Sequence, residues 1–569
     1  MRRAPLAAKL AVAAVALALP FETADTIVLG FTSVEIALAV ALAVVAGALA
    51  ADVRFRRDTR GAIPPVWALL LAAFALGALL SASLAPAFSE TALKAAARTS
   101  AGLALLVAVV ASVRTRRDVW LVCGALSAAA VCSAVIGLTE FVADQRFAWL
   151  EHFRVQETYV GTFRRLSGTF NHANIAAMFF EATLPLLVGL AVVLWRRRRP
   201  VLALSALVPT AAVAQAAALT LSRAGIFGLV LSNLVVATIV AVGKGRRVAA
   251  SYAPACALAA LALVVVVVNF GTRPTFRFAL RHEAALAAED VKIDRWYRLY
   301  ITAPARLALR PGETADVHVR VRNDGAITWA STGREPVRLG ARWYRLDTGA
   351  QATPELRWPF SQPVRPGESR AMDLEVLAPE NPGAYRLEWD VVQEGIIWFT
   401  QLTGIRNTTT VAVGDGREPP PTAAGTAEQP AADPRIPPRT ELWSAAFDLL
   451  SERPLLGIGL DTFRLSYGKL VDLPTWNRTV HSNSLYVETL VSLGILGSLA
   501  FFGWLLALGS DLARVLFRSP TVLRAALAAG LFAYLIHGFF DYFLLFSSTG
   551  LLFWILCGLW LAATRRSLA

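Results

Sequence analysis

The stretch TVHSNSLYVETLVSLGILG, residues 479–497, places one histidine and a short polar run immediately before a long apolar segment. Lipid disfavours polar groups in its core, so the run Ser482, Asn483 and Ser484 marks where the chain enters a bilayer. His481 puts a titratable imidazole at that rim, where it either acts on a molecule at the membrane surface or only anchors the interface. The rest of the chain bears on the choice between these two interpretations.

The composition is that of a membrane protein. Of the 569 residues, 56% are hydrophobic and 17% are charged, with a mean hydropathy of +0.52. A soluble protein would carry about 25% charged residues. About twelve apolar runs are long enough to predict transmembrane helices. They are 6–20, 33–53, 65–85, 90–113, 119–142, 172–195, 200–220, 225–243, 249–269, 484–509, 522–543 and 545–563.

The basic residues predict the topology. The arginines lie in short groups between the apolar runs, so the formal charge of +14 indicates membrane orientation rather than nucleic-acid binding. With twelve spans all these groups fall on one side, which the positive-inside rule assigns to the cytoplasm together with both termini. The first run resembles a signal peptide, and an uncleaved first span explains it as well. The four cysteines lie inside apolar runs, which predicts neither a disulfide framework nor a zinc site.

A β-rich domain is inserted on the opposite, extracytoplasmic face. Residues 300–414 alternate apolar and polar positions between Gly-, Pro- and Asn-rich turns, which predicts about seven short strands in an antiparallel β-sandwich. Its core is predicted to contain Trp329, Trp343, Trp389 and Trp398. The stretch PGAYRLEWDVVQEGIIWF, residues 382–399, resembles the four-tryptophan class of Ig-like domains, which usually bind or space rather than catalyse.

The chain therefore divides into six predicted segments. They are an N-terminal transmembrane bundle of about nine spans (1–269), a connecting segment (270–299), the Ig-like sandwich (300–414), a flexible tether (415–438), a periplasmic amphipathic helix with a catalytic loop (439–483), and C-terminal transmembrane helices (484–569). In the fifth segment Thr440 is a candidate N-cap. The glycine-rich loop Leu456–Phe463 lacks the Walker lysine-serine ending, so it predicts a tight turn rather than a phosphate cradle.

Several polar residues converge on the extracytoplasmic face beside His481. They are Arg165, Asn171, Asn174, Arg223, Arg439 and Asn483, with Arg98 near the end of the fourth span and His537 and Asp541 at i and i+4 in the eleventh. Arginine at the hydrocarbon edge is costly unless it meets an anion, another charge or water. Guanidinium groups bind phosphate oxygens bidentately, and a histidine can take a proton from a hydroxyl. The pattern predicts a site for a lipid-linked diphosphate, although each arginine alone could snorkel and His537 with Asp541 could serve helix packing.

Five stretches resemble the O-antigen ligase and polymerase superfamily of bacterial envelope glycosyltransferases. They are RLSGTFNHANIAAMFFEATLPL (165–186), TLSRAGIFGL (220–229), ERPLLGIGLDTFR (452–464), HSNSLYVETLVSLGILG (481–497) and HGFFDYFLLF (537–546). The resemblance implies transfer of a glycan from undecaprenyl diphosphate to an acceptor hydroxyl at the periplasmic face of the bacterial inner membrane, without metal, nucleotide or other cofactor. It implies that His481 is the base and that Arg223 and Arg439, with Arg165, hold the diphosphate.

The chain departs from the family pattern at one position. The family often has His-x-His-Asn before the helix, whereas here Asn483 stands at the second histidine position and Ser484 follows. The resemblance therefore leaves His481 to serve as the base. The partners it implies are the carrier-linked glycan, a lipid- or saccharide-linked acceptor and membrane lipids.

Other functions fit parts of the sequence. A polymerase of carrier-linked repeat units shares the donor chemistry and differs only in the acceptor. A protein O-glycosyltransferase would use a serine or threonine hydroxyl. A transporter would need a polar route through the bundle, whereas the charges cluster at one rim and most spans are apolar in the middle. A non-enzymatic envelope scaffold would use the sandwich as its working part.

Overall fold

The structure is a computed structural model that describes most of the chain. The described residues are 4–28, 30–59, 61–143, 147–154, 158–160, 163–245, 248, 250, 297–325, 327–333, 335–352, 356–394, 397–400, 407–414, 437–471, 473 and 476–564. The chain divides into two compact units, a helical unit (1–158, 165–268 and 435–569) and a β-rich unit (159–164 and 269–434). The predicted span 249–269, connecting segment and tether lie largely outside the described residues, and the six segment boundaries stay predictions.

Fourteen α-helices are found in the described part of the chain. They are α1 (Leu6–Ala18), α2 (Ser33–Ala51), α3 (Val53–Thr59), α4 (Pro65–Ser83), α5 (Ser89–Ser112), α6 (Arg116–Ala143), α7 (Ala173–Arg196), α8 (Pro200–Leu219), α9 (Arg223–Val242), α10 (Arg439–Glu452), α11 (Phe463–Ser466), α12 (Leu485–Arg518), α13 (Val522–His537) and α14 (Ser547–Thr564).

The long apolar helices make this a polytopic membrane protein. Among the described residues, nine helices are long and apolar enough to cross a membrane, and α13 and the segment Leu6–Phe21 are shorter apolar helices. These helices coincide with the predicted runs within three residues at their ends, except at the C-terminal ends of α12 and α13. The count of twelve spans stays a prediction, because one predicted span lies outside the described residues.

Three helix ends differ from the sequence-based expectation. Helix α12 continues to Arg518, beyond the predicted end at residue 509. Helix α10 begins at Arg439 after Pro438, so Thr440 lies inside its first turn and is not the N-cap that the sequence predicted. Helix α13 ends at His537 instead of reaching residue 543, and the N–H groups of Phe540 and Asp541 turn back to the His537 carbonyl. The prediction that His537 and Asp541 share one helix face was therefore wrong.

The β-rich unit contains two sheets and a separate two-stranded ribbon. The ribbon pairs β1 (Tyr159–Val160) with β2 (Phe163–Arg164). The strands of the sheets are β3 (Leu299–Thr302), β4 (Arg306–Leu309), β5 (Thr314–Asn323), β6 (Val337–Arg345), β7 (Leu356–Pro359), β8 (Ser369–Leu377), β9 (Gly383–Gln393), β10 (Ile397–Trp398) and β11 (Asn407–Val413). One sheet has the order β3-β5-β8; the other has the order β4-β11-β9-β6-β7, with β10 also paired to β9.

The two sheets share one hydrophobic core. Trp329, Trp343 and Trp389 lie in it with exposed fractions of 0%. Trp398 is also buried, but it lies against the guanidinium groups of Arg342 and Arg357, 4.3 and 5.3 Å from its ring centroid. The predicted alternation is correct, whereas the all-antiparallel arrangement is not, because β11 pairs with β4 in parallel. The Ig-like class of this domain stays a prediction.

Candidate functional site

The segment before α12 brings His481 into the interior of the helical unit. Asn483 adopts a left-handed conformation with φ of 54°, which asparagine tolerates better than most residues. The turn lets Ser484 cap α12, where its hydroxyl accepts the Val487 N–H at 3.5 Å. His481 is thereby buried, with 7% of its surface exposed.

A carboxylate at the start of α12 contacts the histidine. Glu488 is fully buried, and its Oε1 lies 3.4 Å from His481 Nδ1. Its Oε2 accepts the Ser482 N–H at 2.8 Å, which fixes the carboxylate in place. Trp443 of α10 donates its indole N–H to the Ser482 carbonyl at 2.9 Å. A neutral imidazole that donates from Nδ1 to Glu488 keeps a lone pair on Nε2.

A second carboxylate lies on the other side of the ring. Asp461 Oδ1 is 4.0 Å from His481 Nε2, and Arg464 binds the two Asp461 oxygens at 2.5 and 3.0 Å. This ion pair raises the pKa of the Arg464 guanidinium. The Tyr542 ring packs beside the imidazole with 5.5 Å between centroids. Burial, with the two nearby carboxylates, raises the pKa of the Tyr542 phenol, so that group stays protonated.

A break in α12 holds the glycine-rich loop in position. Gly494 has φ of 62°, a conformation that interrupts the helix and frees backbone groups on both sides. The N–H groups of Ile458 and Gly459 bind the Val491 and Ser492 carbonyls at 3.1 and 3.0 Å. The N–H of Ile495 in turn binds the Pro454 carbonyl at 2.8 Å. The loop therefore repairs a broken helix, in agreement with a turn and not with a phosphate cradle.

A network of polar side chains joins the loop after α13 to the start of α7. Asn174 donates to Asp541 Oδ2 at 2.9 Å, and Arg165 donates to Asn174 Oδ1 at 2.6 Å. Burial raises the pKa of Asp541, against hydrogen bonds from Tyr542 and Asn174 and the positive charge of Arg439. The Asp541 carbonyl accepts the Leu485 N–H at 3.0 Å, which ties this network to the start of α12.

The two other predicted diphosphate-binding arginines border the same loop. Arg439 is exposed and donates to the Phe540 carbonyl at 3.0 Å. Arg223 is exposed at the first position of α9, whose Ser222 cap accepts the Gly225 N–H. Four residues further on, Phe227 packs edge-to-face on Phe540 with 6.1 Å between centroids. Because i and i+4 share a helix face, Arg223 lies on the side of α9 that contacts this loop.

His537 lies deeper and has a different partner from the one predicted. Its Nδ1 is 2.6 Å from Glu181 Oε1, and both side chains are at least 98% buried. His537 Nε2 and Glu181 Oε2 have no hydrogen-bond partner among the described residues. Glu181 reaches this position because Gly225 and Gly228 of α9 carry no side chain there; a Cβ on either would lie 3.3 Å from Glu181 Oε2.

Two further predicted residues, Arg98 and Asn171, lie outside the cluster around His481. Arg98 donates to Glu35 Oε1 at 2.8 Å, in the capping box at the start of α2, so its observed partner is a carboxylate of another helix. Asn171 is exposed next to His172. His172 caps α7 through its Nδ1, which accepts the Asn174 N–H at 3.0 Å, and burial with the nearby Arg165 charge lowers its pKa to about 4.

The sequence analysis missed the acidic partners of both histidines. Glu488 and Glu181 each stand alone in an apolar run, LYVETLVSL and AMFFEATLP. An isolated acid in such a run is costly unless it is paired, and that was the available signal. The Asp461–Arg464 pair is less visible, since the two residues share only an i, i+3 spacing after a glycine-rich loop.

Residues 396–502 match the family model described as O-antigen ligase. The sequence has no match among curated proteins. The matched residues include α10, the glycine-rich loop, His481 and Glu488, and thus most of the cluster around the imidazole. The match supports the superfamily that the sequence resembles and a membrane glycosyltransferase-like function for the chain.

Proposed function

We propose that this protein transfers a glycan from undecaprenyl diphosphate to an acceptor hydroxyl at the periplasmic face of the bacterial inner membrane, as an O-antigen ligase does. The observation that carries the proposal is the buried His481 between Glu488 and Asp461, inside the segment that matches the ligase family. Burial of an isolated imidazolium ion costs solvation free energy. Carboxylates 3.4 Å from Nδ1 and 4.0 Å from Nε2 offset that cost.

In the proposed reaction His481 acts as the general base. The acceptor O–H gives its proton to Nε2 while the acceptor oxygen forms a bond to the anomeric carbon. The bond between that carbon and the phosphate oxygen breaks, and undecaprenyl diphosphate leaves with the electron pair. Glu488 holds the Nδ1–H tautomer and stabilises the imidazolium that forms, which is the role of a carboxylate that orients a catalytic histidine.

The arginines supply the charge for the departing diphosphate. Arg439, Arg165 and Arg223 border the loop 538–541, and their guanidinium forks suit phosphate oxygens. Asn174 and Asp541 set the position of Arg165 through the hydrogen bonds described above. In this proposal Asn171, Asn483 and His537 support the site without contacting the reacting atoms, and Arg98, which is paired with Glu35 at the start of α2, has no role in it.

The proposed orientation rests on the distribution of charge between helix ends. Helix α7 begins beside Asn174 and ends at Arg196; α13 carries Arg524 in its first turn and ends at His537. The arginine-rich ends are therefore opposite to the site, which supports a periplasmic site and cytoplasmic termini by the positive-inside rule.

The test measures acceptor-dependent release of undecaprenyl diphosphate by the purified full chain, with carrier-linked glycan and a panel of acceptors. We expect His481→Ala to reduce kcat by about 100-fold or more, since a general base contributes about 10²–10⁴. His152→Ala is the matched control, because His152 is exposed and contacts the Trp149 carbonyl. Full activity in His481→Ala would refute the base assignment.

The acceptor that supports release separates the related activities. A lipid-linked core saccharide indicates a ligase, a second carrier-linked unit indicates a polymerase, and a folded protein indicates an O-glycosyltransferase. No release from any donor by a folded protein would contradict the transferase proposal and favour the scaffold.

A further inference from the structure

An open cavity of about 290 Å³ lies at the opposite end of the helices from His481. It is lined by the start of α6, the end of α7 and the start of α13. Its polar wall consists of Arg116, Arg196 and Arg197, beside the indole of Trp120. None of the described lining residues is acidic, and the three arginines are the charged groups among them.

A buried guanidinium adds to this charge from behind the wall. Arg524 is 8% exposed and donates to the carbonyls of Ala563 and Ser519 and to the Ser519 hydroxyl. These acceptors are neutral, so the hydrogen bonds that Arg524 makes to them do not balance its charge. Arg116 lies close enough to repel Arg524 electrostatically. An anion in the cavity would relieve that repulsion.

The start of α13 presents backbone donors to the same cavity. Thr521 caps the helix and accepts the Arg524 N–H at 3.2 Å. The N–H groups of Val522 and Leu523, which line the cavity, have no acceptor among the described residues. Free N–H groups and the positive end of the helix dipole favour an oxyanion. The ligand that suits all of these features, the arginine-lined cavity, the buried Arg524 and the start of α13, is an oxyanion.

We infer that this cavity binds the phosphate of an acidic membrane lipid. A soluble phosphate has the same oxyanion chemistry, and the position of the cavity decides between the sources. Helix α7 has 24 residues and ends at Arg196, so a membrane-crossing α7 places the cavity at head-group level. Trp120 is a residue type that favours this interface. Arginine-rich pockets between helices at this depth fit lipid phosphates. The inference does not depend on the transfer reaction.

The experiment measures retention of phosphatidylglycerol by the full chain after extraction from vesicles of phosphatidylglycerol and phosphatidylcholine. The pocket variant carries Arg116→Gln, Arg196→Gln and Arg197→Gln. We expect affinity for phosphatidylglycerol to fall about fivefold for each arginine removed and about a hundredfold for all three, while phosphatidylcholine is unaffected. The single variants give the fivefold steps if the triple variant does not fold.

The matched control carries the same number of changes in another basic group, Arg54→Gln, Arg56→Gln and Arg57→Gln, on exposed positions of α3. We expect the control to retain the lipid as the wild type does. Equal loss in pocket and control variants would overturn the inference in favour of a diffuse surface charge. Inorganic phosphate is added alone in a second arm. If inorganic phosphate displaced phosphatidylglycerol from the protein, the lipid would be refuted as the ligand of this cavity.

Discussion

Replacement of Glu488 by glutamine tests whether this carboxylate orients the proposed base. Glutamine has nearly the same volume as glutamate and keeps an oxygen that can accept the Ser482 N–H, which in the wild type lies 2.8 Å from Glu488 Oε2. It removes the negative charge from the group 3.4 Å from His481 Nδ1 and can place an amide donor there. A donor facing Nδ1–H favours the wrong tautomer, with the proton on Nε2, where the acceptor hydroxyl must deliver its own.

The magnitude follows from the lost contact. A hydrogen bond to a charged group contributes about 1.5–3 kcal/mol. Since about 1.4 kcal/mol corresponds to a tenfold change in rate, kcat is expected to fall about 10- to 100-fold. The KM for the donor should change little, because Glu488 contacts His481 and not the arginines that are proposed to hold the diphosphate. Glu452→Gln is the matched control, an exposed glutamate at the end of α10.

The assay is acceptor-dependent release of undecaprenyl diphosphate at saturating donor, in a double-mutant cycle with His481→Ala. If Glu488 acts through the histidine, Glu488→Gln should cost almost nothing further once His481 is absent. An equal loss of kcat in both backgrounds would mean that Glu488 supports the fold independently of the base. Such a result would refute the proposed orientation of His481.

Three further results are expected. Gly494→Ala should destabilise the protein by about 3 kcal/mol or more, measured by thermal unfolding, because its Cβ would lie 2.5 Å from the Leu455 backbone at a positive φ. Arg439→Ala should raise the donor KM about tenfold, since one charged contact is lost, whereas retention of the wild-type KM in Arg439→Ala would contradict a diphosphate role. Burial raises the pKa of Asp390 to about 6, so the folded state holds this proton more tightly than the unfolded state. Unfolding free energy of the β-rich unit, followed by tryptophan fluorescence, should fall by about 2–3 kcal/mol between about pH 4 and about pH 6, and Asp390→Asn should flatten that slope.

Local patterns predicted the parts of the fold that depend on neighbouring residues. The apolar runs gave the helices, and the alternation around Val317, Val319 and Val321 gave a strand whose buried face is the one expected. The parallel pairing of β4 with β11 joins residues about a hundred positions apart, and no local signal specifies it. The end of α13 was missed because hydropathy stays high through Phe539 and Phe540, although the backbone leaves the helix there.

The site prediction combined His481, three arginines and supporting polar residues, and it did not name the partner of each side chain. The residues Arg165, Asn174 and Asp541 do meet, which their positions alone suggested. The acids that pair with the histidines were not predicted, because hydropathy identifies an apolar run without showing which partner an isolated acid in it has. An acidic side chain in a membrane helix is costly unless it is paired. Here Glu488 is paired with His481, and Glu181 is paired with His537.

The helix break at Gly494 explains how one helix can carry both a membrane span and Glu488, the carboxylate proposed to orient His481. An unbroken α12 would need all its backbone groups for itself, and the loop 454–459 would have no groups to bind. The break frees the Val491 and Ser492 carbonyls, and these bind the N–H groups of Ile458 and Gly459, just before Asp461 in the glycine-rich loop. Glu488 lies in the shorter part of α12, before Gly494. One break therefore fixes the positions of both carboxylates near His481, Glu488 and Asp461. The backbone break at Gly494 and the geometry of the proposed base are therefore coupled. A side chain placed at Gly494, or at Gly457, whose backbone lies against Gly494, should disturb the imidazole through Asp461.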